Sequence, residues 1–120
     1  MAPASTPSAD EVRFAARQTE SGFQFERQHA RGIFLEALGH AEAGECGAAV
    51  RLFERVVEQF PGSRYMPPAL YDAAVCWSRL GDDTRAAQRL EMLVRQVPES
   101  RGAVRAKLEL ASVYARLERW

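Results

Sequence analysis

The chain has 120 residues, the length of a single domain, and its 16 basic and 16 acidic residues leave no formal net charge. This balance argues against a dedicated nucleic-acid binder or a polybasic protein of the membrane surface, because both normally carry a clear basic excess. Hydrophobic residues make up 47% of the chain, enough for a packed core. No run approaches the roughly 18 consecutive apolar residues that a membrane span needs.

The N-terminal part is predicted to contain a leader and one helix. Residues 1–9 hold two prolines and small polar side chains, which cannot bury enough area to offset the entropy of ordering them. We therefore expect a flexible leader, and no basic cluster or apolar run marks a secretory signal there. Ser8 and Glu11 have the spacing of a capping box, which predicts an N-terminal helix within residues 10–29.

The rest of the chain repeats itself. Residues 44–80 and 81–117 align without gaps and are identical at 12 of 37 positions. The identical residues include glycine, proline and serine at the ends of helical patterns as well as alanine. A fixed period of this length is typical of solenoids that stack one supersecondary unit on the next.

Each unit contains two helical patterns. In the first unit, apolar residues recur at helical spacing from Ala49 to Phe60, and Pro61 ends that helix. A second helix is predicted over 67–80, where prolines suit the first turn. The second unit repeats the scheme: an apolar stripe runs from Ala86 to Val97 and Pro98 ends it, and apolar residues between Leu108 and Leu117 indicate the last helix. An earlier helix is predicted to end near Ala43. No segment alternates with the period of a strand.

Several of these residues fit a known repeat pattern. Alanine, a large apolar residue and proline follow one another at matching intervals in both units, as Ala49, Phe53, Pro61 and as Ala86, Leu90, Pro98. On this pattern the chain resembles tetratricopeptide-repeat proteins over residues 30–120. The resemblance implies an all-α solenoid of helical hairpins, about two and a half repeats long, preceded by the N-terminal helix.

Small residues are expected where two helices approach closely. The pattern places alanine at these points, and we expect all five to be close-packing positions: Ala37, Ala49, Ala74, Ala86 and Ala111.

The period of 37 residues and the Pro-x-Ser ending of the first helical pattern of each unit narrow the resemblance. Both features resemble a bacterial envelope subgroup that includes the periplasmic coordinator of the Tol–Pal system and BamD-like lipoproteins. This would place a longer protein containing the chain in the periplasm or cell envelope, and otherwise the chain is expected in the cytoplasm.

The resemblance also implies a binding surface, because the first helix of each pair lines the concave groove of such a solenoid. Carried over by register, the groove residues are Arg31, Phe34, Leu38, Glu42, Tyr71, Val75, Ser78, Arg79, Arg105, Leu108, Ser112 and Arg116. Apolar side chains among arginines favour an extended or helical peptide of acidic character. The alternative is that these arginines form a solvated helix face. The asparagine-and-lysine clamp of some family members is not expected, because the chain has no Asn and one Lys.

The sequence contains no pattern typical of catalysis or of metal or cofactor binding, and we expect no catalytic residue, metal site or cofactor. His29 and His40 lack a nucleophile at motif spacing, and Asp82–Asp83 is interpreted as a helix start. Cys46 and Cys76 are 30 residues apart, so two free thiols are expected rather than one bridge. A reactive Cys46 at a helix start is the weaker interpretation.

By the 37-residue register, the third unit has its first helix and lacks its second. The last helix is expected to present apolar surface on more than one side, through Leu110, Val113, Tyr114, Leu117 and Trp120. Either the chain is a fragment of a longer array, or this surface pairs with another chain through Val113, Leu117 and Trp120. The sequence thus predicts a non-catalytic scaffold that binds a protein or peptide, with a homo-oligomerisation module as the alternative.

Overall fold

The computed structural model describes residues 29–118, and within this range the chain is helical with no strand. Helix α1 covers residues 29–42, and α2 (Cys46–Gln59), α3 (Met66–Arg79), α4 (Asp83–Gln96) and α5 (Arg101–Glu118) follow it. The prediction of an all-α solenoid of helical hairpins is confirmed. The predicted leader, almost all of the predicted N-terminal helix and Trp120 lie outside the described residues.

The repeat is visible in the turns between units. Gly44 and Gly81 lie 37 residues apart and have φ values of 80° and 85°, a left-handed conformation that favours glycine. After each glycine, a backbone N–H reaches back to a carbonyl five residues earlier, and the N···O distance is 2.8 Å in both turns. Each glycine thus ends one helix and redirects the chain into the next.

The starts of α4 and α5 are capped by side chains. The Asp82 carboxylate accepts a hydrogen bond from the Arg85 backbone N–H at 3.0 Å, which confirms the predicted helix start. The Ser100 hydroxyl accepts a hydrogen bond from the Ala103 backbone N–H at 3.1 Å. Both caps satisfy N–H groups that have no partner within the helix.

Two hydrophobic cores lie in succession along the solenoid. Phe53, fully buried, is at the centre of a core formed by α1, α2 and α3. Leu90, its equivalent one unit later and 2% exposed, lies in a core formed by α3, α4 and α5. Helix α3 serves both cores, because Ala69 and Ala73 face the first while Leu70 faces the second. Four of the five predicted close-packing alanines are buried: Ala37, Ala49, Ala74 and Ala86.

The fifth prediction, Ala111, is wrong. Ala111 is exposed although its equivalent Ala74 is 2% exposed. The reason is that α4 and α5 follow α3 and cover Ala74, whereas no helix within residues 29–118 follows α5.

A half-buried polar hub connects three helices. The Glu54 carboxylate on α2 accepts hydrogen bonds from Trp77 Nε1 on α3 at 2.9 Å and from Arg89 Nε on α4 at 2.6 Å. The guanidinium of Arg85 lies 4.8 Å from the centroid of the Trp77 ring, a cation–π contact. Glu54 therefore links the two units through groups that lie 23 and 35 residues away in sequence.

Candidate protein-interaction surface

The predicted groove residues of the first unit have mixed environments. Phe34 is 8% exposed and packs in the first core, with its ring centroid 5.8 Å from Phe53 and 5.6 Å from Tyr65. Leu38 is half-buried against the same core, whereas Arg31 is exposed. Phe34 thus has a packing role that leaves little of its ring for a partner.

Helices α3 and α5 lie side by side, and their predicted groove residues meet. The Arg105 guanidinium lies 5.0 Å from the centroid of the Tyr71 ring, a cation–π contact between the two helices. Asp72 is next to this pair. Burial raises the pKa of the Asp72 carboxyl, and the nearby Arg105 charge partly offsets that rise.

A cleft of about 140 Å³ opens between α3 and α5. We call it the α3–α5 cleft, and its lining residues are Ala74, Val75, Ser78, Arg79, Leu90, Glu109 and Arg116. Four of these were predicted as groove residues, so the structure brings them together. The cleft combines an apolar floor with charged groups at its edge, the composition of many small binding sites.

The two arginines of the cleft differ in what they bind. Arg116 Nε and Nη2 each donate to the Asp83 carboxylate at 3.1 Å, and Nη2 also contacts the Ser78 hydroxyl at 3.2 Å. Ser78 in turn donates to Asp83 at 3.0 Å. These bonds hold the pKa of Asp83 below its ordinary value, chiefly through Arg116. Arg79, by contrast, is exposed and takes part in none of the ion pairs within residues 29–118.

Arg116 is therefore an internal anchor more than a free ligand for a partner. Its bidentate pair with Asp83 fixes α5 against the start of α4. This pair was not predicted, because Asp83 and Arg116 are 33 positions apart in sequence and Asp83 was interpreted only as a helix start.

The sequence analysis also missed the carboxylates of this surface. Asp72 and Glu109 lie 37 residues apart, so they hold the same position in consecutive units. The alignment of the two units contained this signal, since both positions carry an acid. With Asp72 and Glu109 among the arginines, the surface has mixed charge and is not uniformly basic.

The histidines and cysteines have structural surroundings. His40 Nδ1 lies 3.4 Å from Glu45 Oε1, and the His29 ring packs edge-on against Phe60. Cys46 and Cys76 are free and buried in the first core. Burial, together with a hydrogen bond to Cys46, raises the pKa of the Cys76 thiol to about 12. Such a thiol is a poor nucleophile at neutral pH. No group of three His, Cys, Asp or Glu side chains within residues 29–118 is placed to hold a metal.

The apolar surface of the last helix differs from the expectation. Val113 is 1% exposed and Leu117 is half-buried in the second core, so the expected exposure of Val113 is wrong. Val113 faces inward because α3 and α4 cover that side of α5. Tyr114 is 42% exposed, as expected, and the other large exposed apolar side chains of α5 are Val104 and Leu108, which are 63% and 71% exposed.

A match to one protein family agrees with this architecture. None of the helices within residues 29–118 is long and apolar enough to span a bilayer. Neither a curated protein sequence nor a solved structure matches the chain significantly. The family described as tetratricopeptide repeat matches residues 40–110, more than half of the chain. The chain therefore belongs to the tetratricopeptide repeat family, whose members generally mediate protein–protein interactions and are typically non-catalytic scaffolds.

Proposed function

We propose that the chain binds a segment of a partner protein on the surface shared by α3 and α5. The observation that carries this proposal is the α3–α5 cleft, which places an apolar floor next to the unpaired, exposed Arg79. Its volume of about 140 Å³ is suited to one side chain of a peptide and not to a whole small-molecule ligand.

The charges around the cleft define the partner more closely. Arg79 offers a guanidinium fork to a carboxylate, while Arg116 is occupied by Asp83. Glu109 lies on the same lining and repels a uniformly acidic segment. The preferred segment therefore carries one apolar side chain for the cleft and one carboxylate near Arg79, and it is not an acidic run.

The cation–π pair beside the cleft extends this surface. Tyr71 is half-buried and Arg105 covers its ring, so together they form a flat wall between the helices. An extended peptide that lies along the helices would contact this wall after it leaves the cleft. The partner then contacts both units at once, and binding depends on their relative position.

The test is selection of short random peptides on the whole chain by display, followed by titration of the enriched peptides. We expect enrichment of a hydrophobic residue adjacent to Asp or Glu. Arg79→Glu should weaken binding of these peptides by about tenfold or more, because a charged hydrogen bond becomes a repulsion. Arg55→Glu, an equal charge change at an exposed position of α2, is the matched control and should leave binding unchanged.

Enriched peptides that bind Arg79→Glu as tightly as the original chain would overturn this site. Enrichment of basic peptides would overturn the assignment of the carboxylate to Arg79.

We further propose that the protein binds its partner in a complex of the bacterial cell envelope. The support is the Pro-x-Ser ending at Pro61 and Pro98 together with the 37-residue period, which resemble the envelope subgroup. Fractionation of cells that express the native gene would place the protein with the envelope if this is correct, and with the cytosol if it is wrong.

A further inference from the structure

Helix α5 carries an exposed apolar band that does not line the α3–α5 cleft, although one of its members, Leu108, was predicted as a groove residue. Val104, Leu108, Ala111 and Ala115 are all exposed and follow one another at intervals of four, three and four residues. This spacing places them on one face of the helix, which we call the α5 stripe. The buried residues Ala103, Ala106 and Val113 lie on the opposite side.

The α5 stripe corresponds to a surface that is covered in the preceding units. Two of its members, Leu108 and Ala111, align with Tyr71 and Ala74 of α3. Tyr71 is half-buried and Ala74 is 2% exposed, because α4 and α5 pack beside them. The same backbone surface thus accepts a packed helix in α3 and is bare in α5.

From these features we infer that the α5 stripe binds the α5 stripe of a second copy of this chain, with the two helices antiparallel. Such a contact is isologous, so each copy supplies the same surface and the assembly closes as a two-fold dimer. Antiparallel packing also opposes the two helix dipoles instead of aligning them.

The side-chain volumes of the stripe are self-complementary in this orientation. The N-terminal half of the stripe is bulky at Leu108, and the C-terminal half is small at Ala111 and Ala115. If the two-fold axis passes near residues 111 and 112, Leu108 of each copy lies opposite the two alanines of the other. Large side chains then fill the gaps over small ones, which is how helices pack at short interaxial distance.

Charges beside the stripe favour the same register. Lys107 and Glu118 are exposed, lie on the same flank of the stripe and form none of the ion pairs within residues 29–118. The antiparallel register places Lys107 of one copy within a turn of Glu118 of the other, and two-fold symmetry makes this pair twice. A parallel arrangement would leave Lys107 of one copy and Glu118 of the other eleven residues, about 16 Å, apart along the helix axis and would not form this pair.

Lys107 also indicates that the contact is weak. Its equivalents Ile33 and Leu70 are buried, at 6% and 0% exposed, so a lysine at this position opposes complete burial. The contact is confined to one helix of 18 residues, about 27 Å long, which is less than a standard stable interface provides. We therefore expect a dimer in equilibrium with monomer.

The experiment is measurement of the molar mass of the whole chain by sedimentation across roughly a hundredfold range of concentration. We expect the mass to rise toward twice the monomer mass. Leu108→Glu should abolish the rise, and because Leu108 is 71% exposed the variant should remain folded by circular dichroism. Leu35→Glu changes an exposed leucine of α1, 48% exposed, and is the matched control that should leave the rise intact.

Two further variants test orientation. Lys107→Glu should weaken the dimer, and adding Glu118→Lys should restore it, because the swapped charges attract again. Under glutathione disulfide, Ala111→Cys should give a covalent dimer across the two-fold axis. Val104→Cys should not, because the two copies of residue 104 lie roughly 20 Å apart along antiparallel helices.

A monomer at every concentration would overturn the proposal and leave the stripe to a partner of different sequence. A mass increase that Leu108→Glu does not change would place self-association elsewhere and would also overturn it. Crosslinking through Val104→Cys in place of Ala111→Cys would overturn the antiparallel register. Arg79 lies outside this contact, so failure here leaves the peptide-binding proposal unaffected, and the converse holds.

Discussion

Helices α3 and α5 occupy the same place in consecutive units, but their surroundings differ. Leu70 of α3 is fully buried, while the equivalent residue in α5 is the exposed Lys107. Tyr71 is half-buried, while the equivalent Leu108 is 71% exposed. In a solenoid each unit contacts only its neighbours, so a helix is buried on both sides only when a unit follows it. The same repeat position is therefore part of the core in one unit and exposed on the surface in the next.

The largest expected effect compares one substitution on the two helices. Leu70→Ala removes a fully buried side chain and should lower the free energy of unfolding by about 2–5 kcal/mol. Leu108→Ala removes an exposed side chain and should change it by less than about 0.5 kcal/mol in dilute solution. Urea unfolding followed by circular dichroism measures both. Equal losses would mean that α5 is covered in solution as α3 is.

A second prediction tests how strongly the Glu54 hub holds α3 and α4 against α2. Glu54→Ala leaves Trp77 Nε1 and Arg89 without their shared acceptor and should cost about 2–3 kcal/mol of unfolding free energy. Glu58→Ala is the control, since Glu58 is an exposed carboxylate on the same helix. The same urea unfolding measurement separates them, and a loss in Glu58→Ala that matches Glu54→Ala would contradict the role of the hub.

A third, smaller effect concerns the attachment of α5 to α4. Asp83→Asn weakens the bidentate bond to Arg116 and should lower the melting temperature at neutral pH. The substitution should also accelerate amide hydrogen exchange, and by more in α5 than in α2. The folded-state pKa of Asp83 lies below its ordinary value of 3.8. The carboxylate therefore contributes stability that is complete well above pH 3.8 and is lost as pH falls through the lowered pKa.

The difference between the original chain and Asp83→Asn should consequently shrink in acid. Thermal melts at neutral pH and at successively lower pH measure this. A difference that stays constant down to the lowest pH would show that the Asp83 charge is not responsible.

Sequence periodicity predicted most of the fold correctly. The glycines at 44 and 81 and the prolines at 61 and 98 mark helix ends, and their 37-residue spacing revealed the repeat. These signals are local, because backbone conformation at a glycine or proline depends on the residue itself. The helix pairs and four of the five close-packing alanines followed from them.

The candidate site was predictable only in part. The resemblance to the repeat family placed Val75, Ser78, Arg79 and Arg116 in one predicted groove, and in the structure all four line one cleft. The sequence could not show that Arg116 forms an ion pair with Asp83, because that pair depends on how α4 and α5 pack. It also could not separate Phe34, which packs in the core, from a groove residue of the same register.

The sequence by itself determined where the turns between helices lie and which residues share a face, since these follow from local backbone preference and a period of about 3.6 residues. It did not predict that α5 begins as early as Arg101, because the apolar pattern of that helix starts at Leu108. Tertiary structure decided which face is covered. Ala74 and Ala111 are the same residue at the same position of the repeat, yet only Ala74 is buried. Burial depends on whether a neighbouring helix packs on the residue. Equivalent residues of two units therefore become core or exposed surface according to which helices lie beside them in the solenoid.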